Sequence, residues 1–493
     1  MHRRRMFRPL VGLVACVAGV AALTIVGTGI TAGKAGPKSN FSKEDRAALA
    51  KQIAAGEHTA TLLITATSSS VADAVRGLGG TVTYRDDRVG YLRVNVPVGA
   101  ADDVARIQGI AAIDVDRLIP QPDPRPQVTD VEPNVDPPGA TTPNVNPYMP
   151  TKDTGAAQFV QANPTFDGRG ITIGIVDTGV DLLTPELQTA KKDDGKSIPK
   201  IKDWVNFNHP VDDGDPTWVD MATQVKGKGG TFTVGALTYT TPKGQGGGNF
   251  RFGLFNENSM VGGVSEWTGC GSSARADVDR DAVCGENIAL LWDGDEKVWV
   301  DTNQDRSFAN EKAMEQFSKK RDFGILGTDN PATAARRESV PFTVQADEKT
   351  NRVNLGVVSQ AHGTHVAGIA AGKDFFGGQF DGAAPEAQIV AVNVCVPQGG
   401  CTFHGLIEGM TYAIADAKSD VVNMSIGGLS ALNDGNSVFG ETYKRLMKDH
   451  NVQLFLSAGN SGPGFNTIGN PSDTDGVMSV GAHITKESFE SNY

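Results

Sequence analysis

Three short segments of the 493-residue chain carry side chains suited to acyl-transfer chemistry. In Ile175-Val176-Asp177-Thr178-Gly179-Val180-Asp181, an apolar run delivers a carboxylate at its end. His362-Gly363-Thr364-His365-Val366-Ala367-Gly368 begins with an imidazole, followed by small residues that suit the first turns of a tightly packed helix. Leu456-Ser457-Ala458-Gly459-Asn460-Ser461-Gly462 leads an apolar run into a turn bearing an amide. An imidazole serves as general base when a carboxylate fixes its tautomer and steadies its charged form. An amide donor aimed at a developing oxyanion stabilises the transition state of acyl transfer. Asp177, His362 and Asn460 are therefore the candidate catalytic residues: orienting carboxylate, proton carrier and oxyanion donor. Singly, each has a bland reading as a turn opener, a packing histidine or a loop residue. Their order along the chain, each on the element its chemistry needs, favours the site.

The elements that must position them follow from periodicity. Residues 170–176 form a continuous apolar strand, and further strands are expected at 389–394, 421–425, 454–457 and 477–480, with helices at 403–417 and 438–448. Fully apolar strands alternating with helices predict a parallel sheet covered on both faces, with its site at the carboxyl ends of the strands. From about 188 to 357 the texture changes to Gly-rich turns, scattered Trp and Tyr, and acidic clusters. That segment reads as a large, mostly β insertion with one helix at 310–321. Ahead of the sheet, residues 59–120 read strand, helix, strand, strand, helix, strand, a split βαβ unit of ferredoxin-like α+β type within a domain at 55–120. Ten prolines fall between residues 120 and 150, which makes that stretch an extended linker between this domain and the one at 151–493.

Arg3, Arg4, Arg5 and Arg8 precede an apolar run over residues 10–26 and then small residues to Ala35, the form of an export signal at 1–35. An uncleaved anchor is the alternative, although the run is short for a bilayer span. Cys16 belongs to the signal. The remaining Cys270, Cys284, Cys395 and Cys401 are even in number; of three pairings, spacing favours Cys270 with Cys284 and Cys395 with Cys401. The net charge of −12 and the absence of a basic cluster beyond the export signal argue against nucleic acid as main partner. Membrane contact is expected only through the export signal.

Taken together, the three segments resemble the subtilase family of serine peptidases. Asp177-Thr178-Gly179, His362-Gly363-Thr364-His365-Val366-Ala367-Gly368 and Ser457-Ala458-Gly459-Asn460 are similar to its aspartate, histidine and oxyanion motifs, and Gly382-Ala383-Ala384-Pro385-Glu386-Ala387 and Asp420-Val421-Val422-Asn423-Met424-Ser425-Ile426-Gly427-Gly428 to further family segments. The resemblance implies a subtilisin-like fold, protein or peptide substrates, no required cofactor, no catalytic metal, and secretion. It also implies that Ser425, Ile426 and Gly427, with Ala458 and Gly459, line the substrate groove. The domain at 55–120 looks like the family's inhibitory propeptide. The long interval between Asp177 and His362, with Ser461-Gly462-Pro463-Gly464 after the asparagine, is more like the tripeptidyl-peptidase II branch. The family's Gly-Thr-Ser motif does not occur after Asn460, so the resemblance implies a nucleophilic serine beyond Tyr493. The alternative is a non-catalytic exported peptide- or calcium-binding protein on a degenerate subtilase scaffold.

Two acidic stretches and one duplicate motif complete the reading. Asp301, Asn303 and Asp305 place oxygen ligands at alternate positions, as calcium requires, but Arg306 and Lys312 break the EF-hand pattern. A solvated acidic turn competes with a calcium site there. Asp277-Val278-Asp279-Arg280-Asp281 is a weaker case of the same pattern. Asp153-Thr154-Gly155 repeats the Asp-Thr-Gly motif that an aspartic peptidase needs twice, but no apolar strand precedes it. That chemistry is rejected.

Overall fold

The computed structural model describes residues 40–120, 151–260, 275–329, 337, 339–358, 360–397, 399–429 and 432–486. The signal at 1–35, the linker from 121 to 150 and Cys270 lie outside the described residues. Cys395 and Cys401 form a disulfide, as their spacing favoured.

The N-terminal domain begins earlier than residue 55. Helix α1 (Lys43–Ala54) opens on a capping box, in which the Ser42 hydroxyl accepts from Asp45 N–H and the Asp45 carboxylate accepts from Ser42 N–H, each at 3.1 Å. Only Leu49 and Asp45 of this helix are buried, so no apolar stripe announced it. There follow β1 (Thr59–Ala66), α2 (Ser70–Gly77), β2 (Thr81–Asp86), β3 (Tyr91–Pro97), β4 (Ile110–Val115) and β5 (Leu118–Pro120). The first four strands make an antiparallel sheet in the order β2-β3-β1-β4, and the second helix of the unit is only the short Ala101–Val104. Alternation sorts the strand residues between two faces. Leu62 and Ile64 pack with Leu49, Val71 and Val75 in the domain's own core, whereas Leu63, Tyr91 and Ala112 pack with Leu406, Phe439, Tyr443 and Leu446 of the larger domain. This sheet is thus buried on both sides.

The larger domain is built on a six-stranded sheet of β6 (Thr172–Asp177), β7 (Ile201–Asn206), β8 (Gln388–Asn393), β9 (Val421–Met424), β10 (Gln453–Ser457) and β11 (Met478–Val480). The order is β11-β10-β9-β6-β8-β7, and every pairing is parallel. Each residue of β6 is buried, as a central strand covered on both faces demands. Helix α3 (His362–Ala371) covers one face, where Ala367 and Ala371 pack with Ile173, Ile175 and Ile389. Helices α4 (Phe403–Thr411) and α5 (Val438–His450) cover the other, with Val176, Val390, Val422 and Leu454. The helix expected at 403–417 continues past Thr411 as a π-helical turn over Tyr412–Asp416. The α/β subtilisin-like architecture is as the resemblance implied.

The segment between β7 and α3 is mostly β. One four-stranded antiparallel sheet joins Trp218–Asp220, Arg352–Val357, Val340–Asp347 and Gly324–Leu326; a second joins Thr223–Lys226, Asn249–Asn256, Asn287–Trp292 and Val298–Val300. Phe342, Val344 and Leu355 of the first meet Phe255, Leu290 and Trp292 of the second in one core. Two corrections follow. Ile201–Asn206 belongs to the parallel sheet, so the insertion departs after Asn206 rather than at about 188. The helix expected at 310–321 is a single turn, Phe317–Lys320, because Met314 is buried and exchanges backbone hydrogen bonds with Val298 at 2.8 and 2.9 Å.

Candidate active site

Asp177 ends β6 and is fully buried, while His362 begins α3 with its side chain part-exposed. The imidazole Nδ1 and Asp177 Oδ1 lie 2.7 Å apart across 185 positions of sequence. Further bonds lock the two motifs together. Gly363 N–H donates to Thr178 Oγ1 at 2.9 Å, Thr178 Oγ1 donates to the Gln360 carbonyl at 3.1 Å, and Asp181 N–H donates to Thr364 Oγ1 at 2.9 Å. Glycine is required at 363: a Cβ there would sit 2.2 Å from the Gly179 carbonyl oxygen. The small residues after His362 therefore serve the close approach of helix to strand. Asp177 Oδ1 also accepts from Thr178 N–H at 2.7 Å, whereas Oδ2 is buried without a hydrogen-bond partner. The bond to Asp177 holds the His362 pKa above its ordinary value, against the opposing effect of burial.

Asn460 lies three residues beyond β10 and is exposed; Gly459 before it takes a φ of +93°, which favours glycine. Since all six strands are parallel, the ends of β6, β9 and β10 deliver Asp177, the segment at 425–427 and Asn460 to the same sheet edge. Ser425 Oγ donates to Asn423 Oδ1 at 3.2 Å, Ile426 is 2% exposed in the main core, and Gly427 faces the Asn470 carbonyl. Ala458 differs from its expected role in one respect: its N–H bonds the Val480 carbonyl at 2.8 Å and its carbonyl accepts from Gly469 N–H at 3.0 Å. Its backbone is committed to the protein's own ladder, leaving only its side chain for a groove.

One strand pairing escaped the sequence reading. β5 pairs antiparallel with the strand Gly400–Thr402, in the register Gly400 with Pro120, Cys401 with Ile119 and Thr402 with Leu118. Ile119 is 6% exposed, and a Cβ on Gly428 would approach its Cγ2 to 3.8 Å, so β5 runs between Gly400–Thr402 and the segment following Gly427. The small residues Gly399-Gly400-Cys401-Thr402, between a strand and a helix, were the available signal.

Behind β5, carboxylates of the N-terminal domain meet the first turns of both covering helices. Asp114 Oδ2 accepts from Val438 N–H of α5 at 2.7 Å, and Asp116 Oδ1 accepts from His404 N–H of α4 at 3.2 Å. These are the free amides and positive dipole ends of the helices. The fully buried His404 ring lies 2.7 Å from Asp116 and 3.2 Å from Asp213. Burial opposes its protonation, but the two carboxylates raise its pKa to about 10. Nearby, Arg93 pairs with Glu408 at 3.3 Å, and Arg445 donates to the carbonyls of Ala66 and Val89 at 2.9 and 2.6 Å.

The acidic loop at 301–305 is knitted into a turn. Asp301 Oδ2 accepts from Arg306 N–H at 3.0 Å, Asp305 Oδ1 from Ser307 N–H at 2.8 Å, and Asp305 Oδ2 from the amides of Asn303 and Asn310 at 3.1 and 2.8 Å. Asp153, the second Asp-Thr-Gly carboxylate, accepts from Thr485 Oγ1 at 2.7 Å.

Comparison with known proteins shows the family. A family model described as the subtilase family matches residues 168–491, and a model described as a peptidase inhibitor domain matches residues 47–116. The chain is 27% identical over 389 residues to tripeptidyl-peptidase 2 of Caenorhabditis elegans, covering 69% of this chain and 28% of that protein. It is 26% identical over 393 residues to pyrolysin of Pyrococcus furiosus, covering 68% and 26%. The crystal structure of tripeptidyl peptidase 2 superposes with a TM-score of 0.51 at 22% identity, covering 68% of this chain and 30% of that one, a likeness of fold. The chain spans between a quarter and a third of the length of these relatives.

Proposed function

The chain belongs to the subtilase family, and from that premise we propose that it is part of an exported serine endopeptidase made as a self-inhibited precursor. Asp177 orients His362 and steadies its charged form. His362 takes the proton of a serine hydroxyl supplied downstream of residue 493 as that oxygen attacks the peptide carbonyl, and returns it to the leaving amine. Asn460 donates to the oxyanion. Water then repeats the cycle on the acyl-enzyme. The chemistry needs no cofactor. The observation that carries this reading is the 2.7 Å bond between Asp177 and His362 Nδ1, the nitrogen that must be fixed for Nε2 to accept a proton.

Substrate peptide is proposed to add as a strand to Gly400–Thr402, with Ser425, Ile426 and Gly427 beyond it and Gly459 near the oxyanion donor. In the precursor β5 holds that place, which supports intramolecular inhibition by the N-terminal domain. Export is inferred from the arginines and apolar run of residues 1–35. No helix among the described residues is long and apolar enough to cross a membrane.

The test is to express the full reading frame, let it mature, and treat it with a fluorophosphonate probe. Covalent labelling of one serine, with labelling and proteolysis both lost in His362→Ala at unchanged far-UV circular dichroism, is expected. Absence of labelling in a folded, mature wild type overturns the reading in favour of a non-catalytic scaffold.

A further inference from the structure

The alternating acidic stretch at 277–281 has no part in peptide hydrolysis, yet two of its carboxylates, Asp277 and Asp279, are buried together with Glu257. Glu257 follows directly on the strand Asn249–Asn256 and is fully buried. Its Oε1 accepts from the N–H groups of Val278 and Asp279 at 2.7 and 3.2 Å, and its Oε2 from Glu286 N–H at 3.0 Å, so the loop from 277 to 286 is wrapped around this side chain. Asp277 and Asp279 are 7% and 4% exposed. One carboxylate oxygen from each of Glu257, Asp277 and Asp279 lies within 4.8 Å of the others. Calcium binds oxygen at about 2.3–2.6 Å, so opposite ligands of one ion stand roughly 5 Å apart. All three oxygens fit one coordination sphere.

A second observation points to a ligand. Asp277 uses Oδ2 to accept from Ala282 N–H at 3.1 Å, but its Oδ1 is buried with no hydrogen-bond partner. A buried anionic oxygen left unpaired is costly, and proteins answer that cost with a counter-charge. The neighbouring charges that act on the cluster are negative instead. Asp281 and Asp277 both bear on Asp279 and on Glu286.

We propose that Glu257, Asp277 and Asp279 hold a calcium ion inside the β insertion, apart from the peptide-cleaving site. Three hard oxygen donors with no sulfur or imidazole among them select calcium over zinc. Magnesium demands a tighter octahedron and keeps most of its water. Asp279 Oδ2 also accepts from Gln304 Nε2 at 2.7 Å, so an ion here fixes the 277–286 loop and, through Gln304, the turn at 301–306. The ion therefore sits one hydrogen bond away from the loop whose sequence first suggested calcium.

The test uses the full-length protein freed of divalent ions by a chelator and titrated with calcium chloride by equilibrium dialysis. Asp277→Asn is expected to bind one equivalent fewer per chain, or to bind that equivalent at least tenfold more weakly, while Asp305→Asn in the neighbouring turn binds as wild type does. Unchanged stoichiometry and affinity in Asp277→Asn overturn the site. Should that variant not fold, amide hydrogen exchange of the wild type decides: calcium must slow exchange of Val278, Asp279 and Glu286 N–H at least tenfold. No slowing, or equal slowing by magnesium at the same concentration, overturns the assignment.

Discussion

At the level of single residues, the proposed chemistry turns on which state of His362 is populated. The hydrogen bond that His362 donates to Asp177 favours the imidazolium and raises the pKa, and a general base acts only when deprotonated. The acid limb of kcat/KM is therefore expected above the ordinary histidine value of about 6.5. Asp177→Asn removes the cause, so the limb moves to lower pH while kcat falls by about 10⁴, the scale of losing the tautomer-fixing carboxylate. A pH–rate profile of the two mature proteins measures both; an unmoved limb would deny Asp177 this role. Gly363 makes a second residue-scale case. Because a Cβ at 363 would lie 2.2 Å from the Gly179 carbonyl oxygen, Gly363→Ala must push α3 away from the end of β6. A displacement of about 1 Å at a reacting group costs on the order of 10²-fold in rate. Activity is expected to drop by that factor, with a much smaller change in melting temperature.

Among the elements, the strand Gly400–Thr402 links the proposed groove to a disulfide. Cys401, central in that strand, is joined to Cys395 in the strand Cys395–Val396. The loop they close has few residues, so its cross-link constrains the unfolded chain little. Its effect falls on the local edge. Replacing both cysteines by serine is expected to raise KM several-fold with only a few degrees' loss in Tm, read from steady-state kinetics and calorimetry. Legibility differs among the elements for reasons of pattern. β6, β8, β9 and β10 are apolar and sit between helices, so periodicity exposed them. β7 was absorbed into the insertion because Lys202 and Asp203 interrupt its apolar run and its neighbour in the sheet, β8, comes nearly two hundred residues later. α1 was missed because its buried surface is slight, although Ser42 and Asp45 spell its cap. Asp177 and His362 were legible as chemistry because each stands at the boundary of a recognisable element. Gly400–Thr402 was not, since an edge strand of small residues has no periodicity of its own and shows its purpose only with β5 laid against it.

On the scale of the whole molecule, the two domains are joined by a buried ionic layer of Asp116, Asp213, His404, Arg93 and Glu408. The folded-state pKa of His404, about 10, exceeds the unfolded value of about 6.5, so its contribution is complete below pH 6.5 and is lost as pH climbs through 10. The precursor is expected to lose melting temperature between about pH 6.5 and 10, and His404→Gln to flatten that decline, as a series of melts across pH would record. A wild type and variant that fall in parallel would remove His404 from the cause. The two-faced burial of the N-terminal sheet has one more consequence. Leu63, Tyr91 and Ala112 are covered only while the larger domain is present, so the departing piece carries a bare oily flank into water. Detachment then converts a well-packed unit into a poorly solvated one, open to digestion before it can rebind. Under the proposed activation, maturation is a ratchet whose pawl is that flank, and the direction of the process is set by what the released fragment becomes as much as by the bond that is cut.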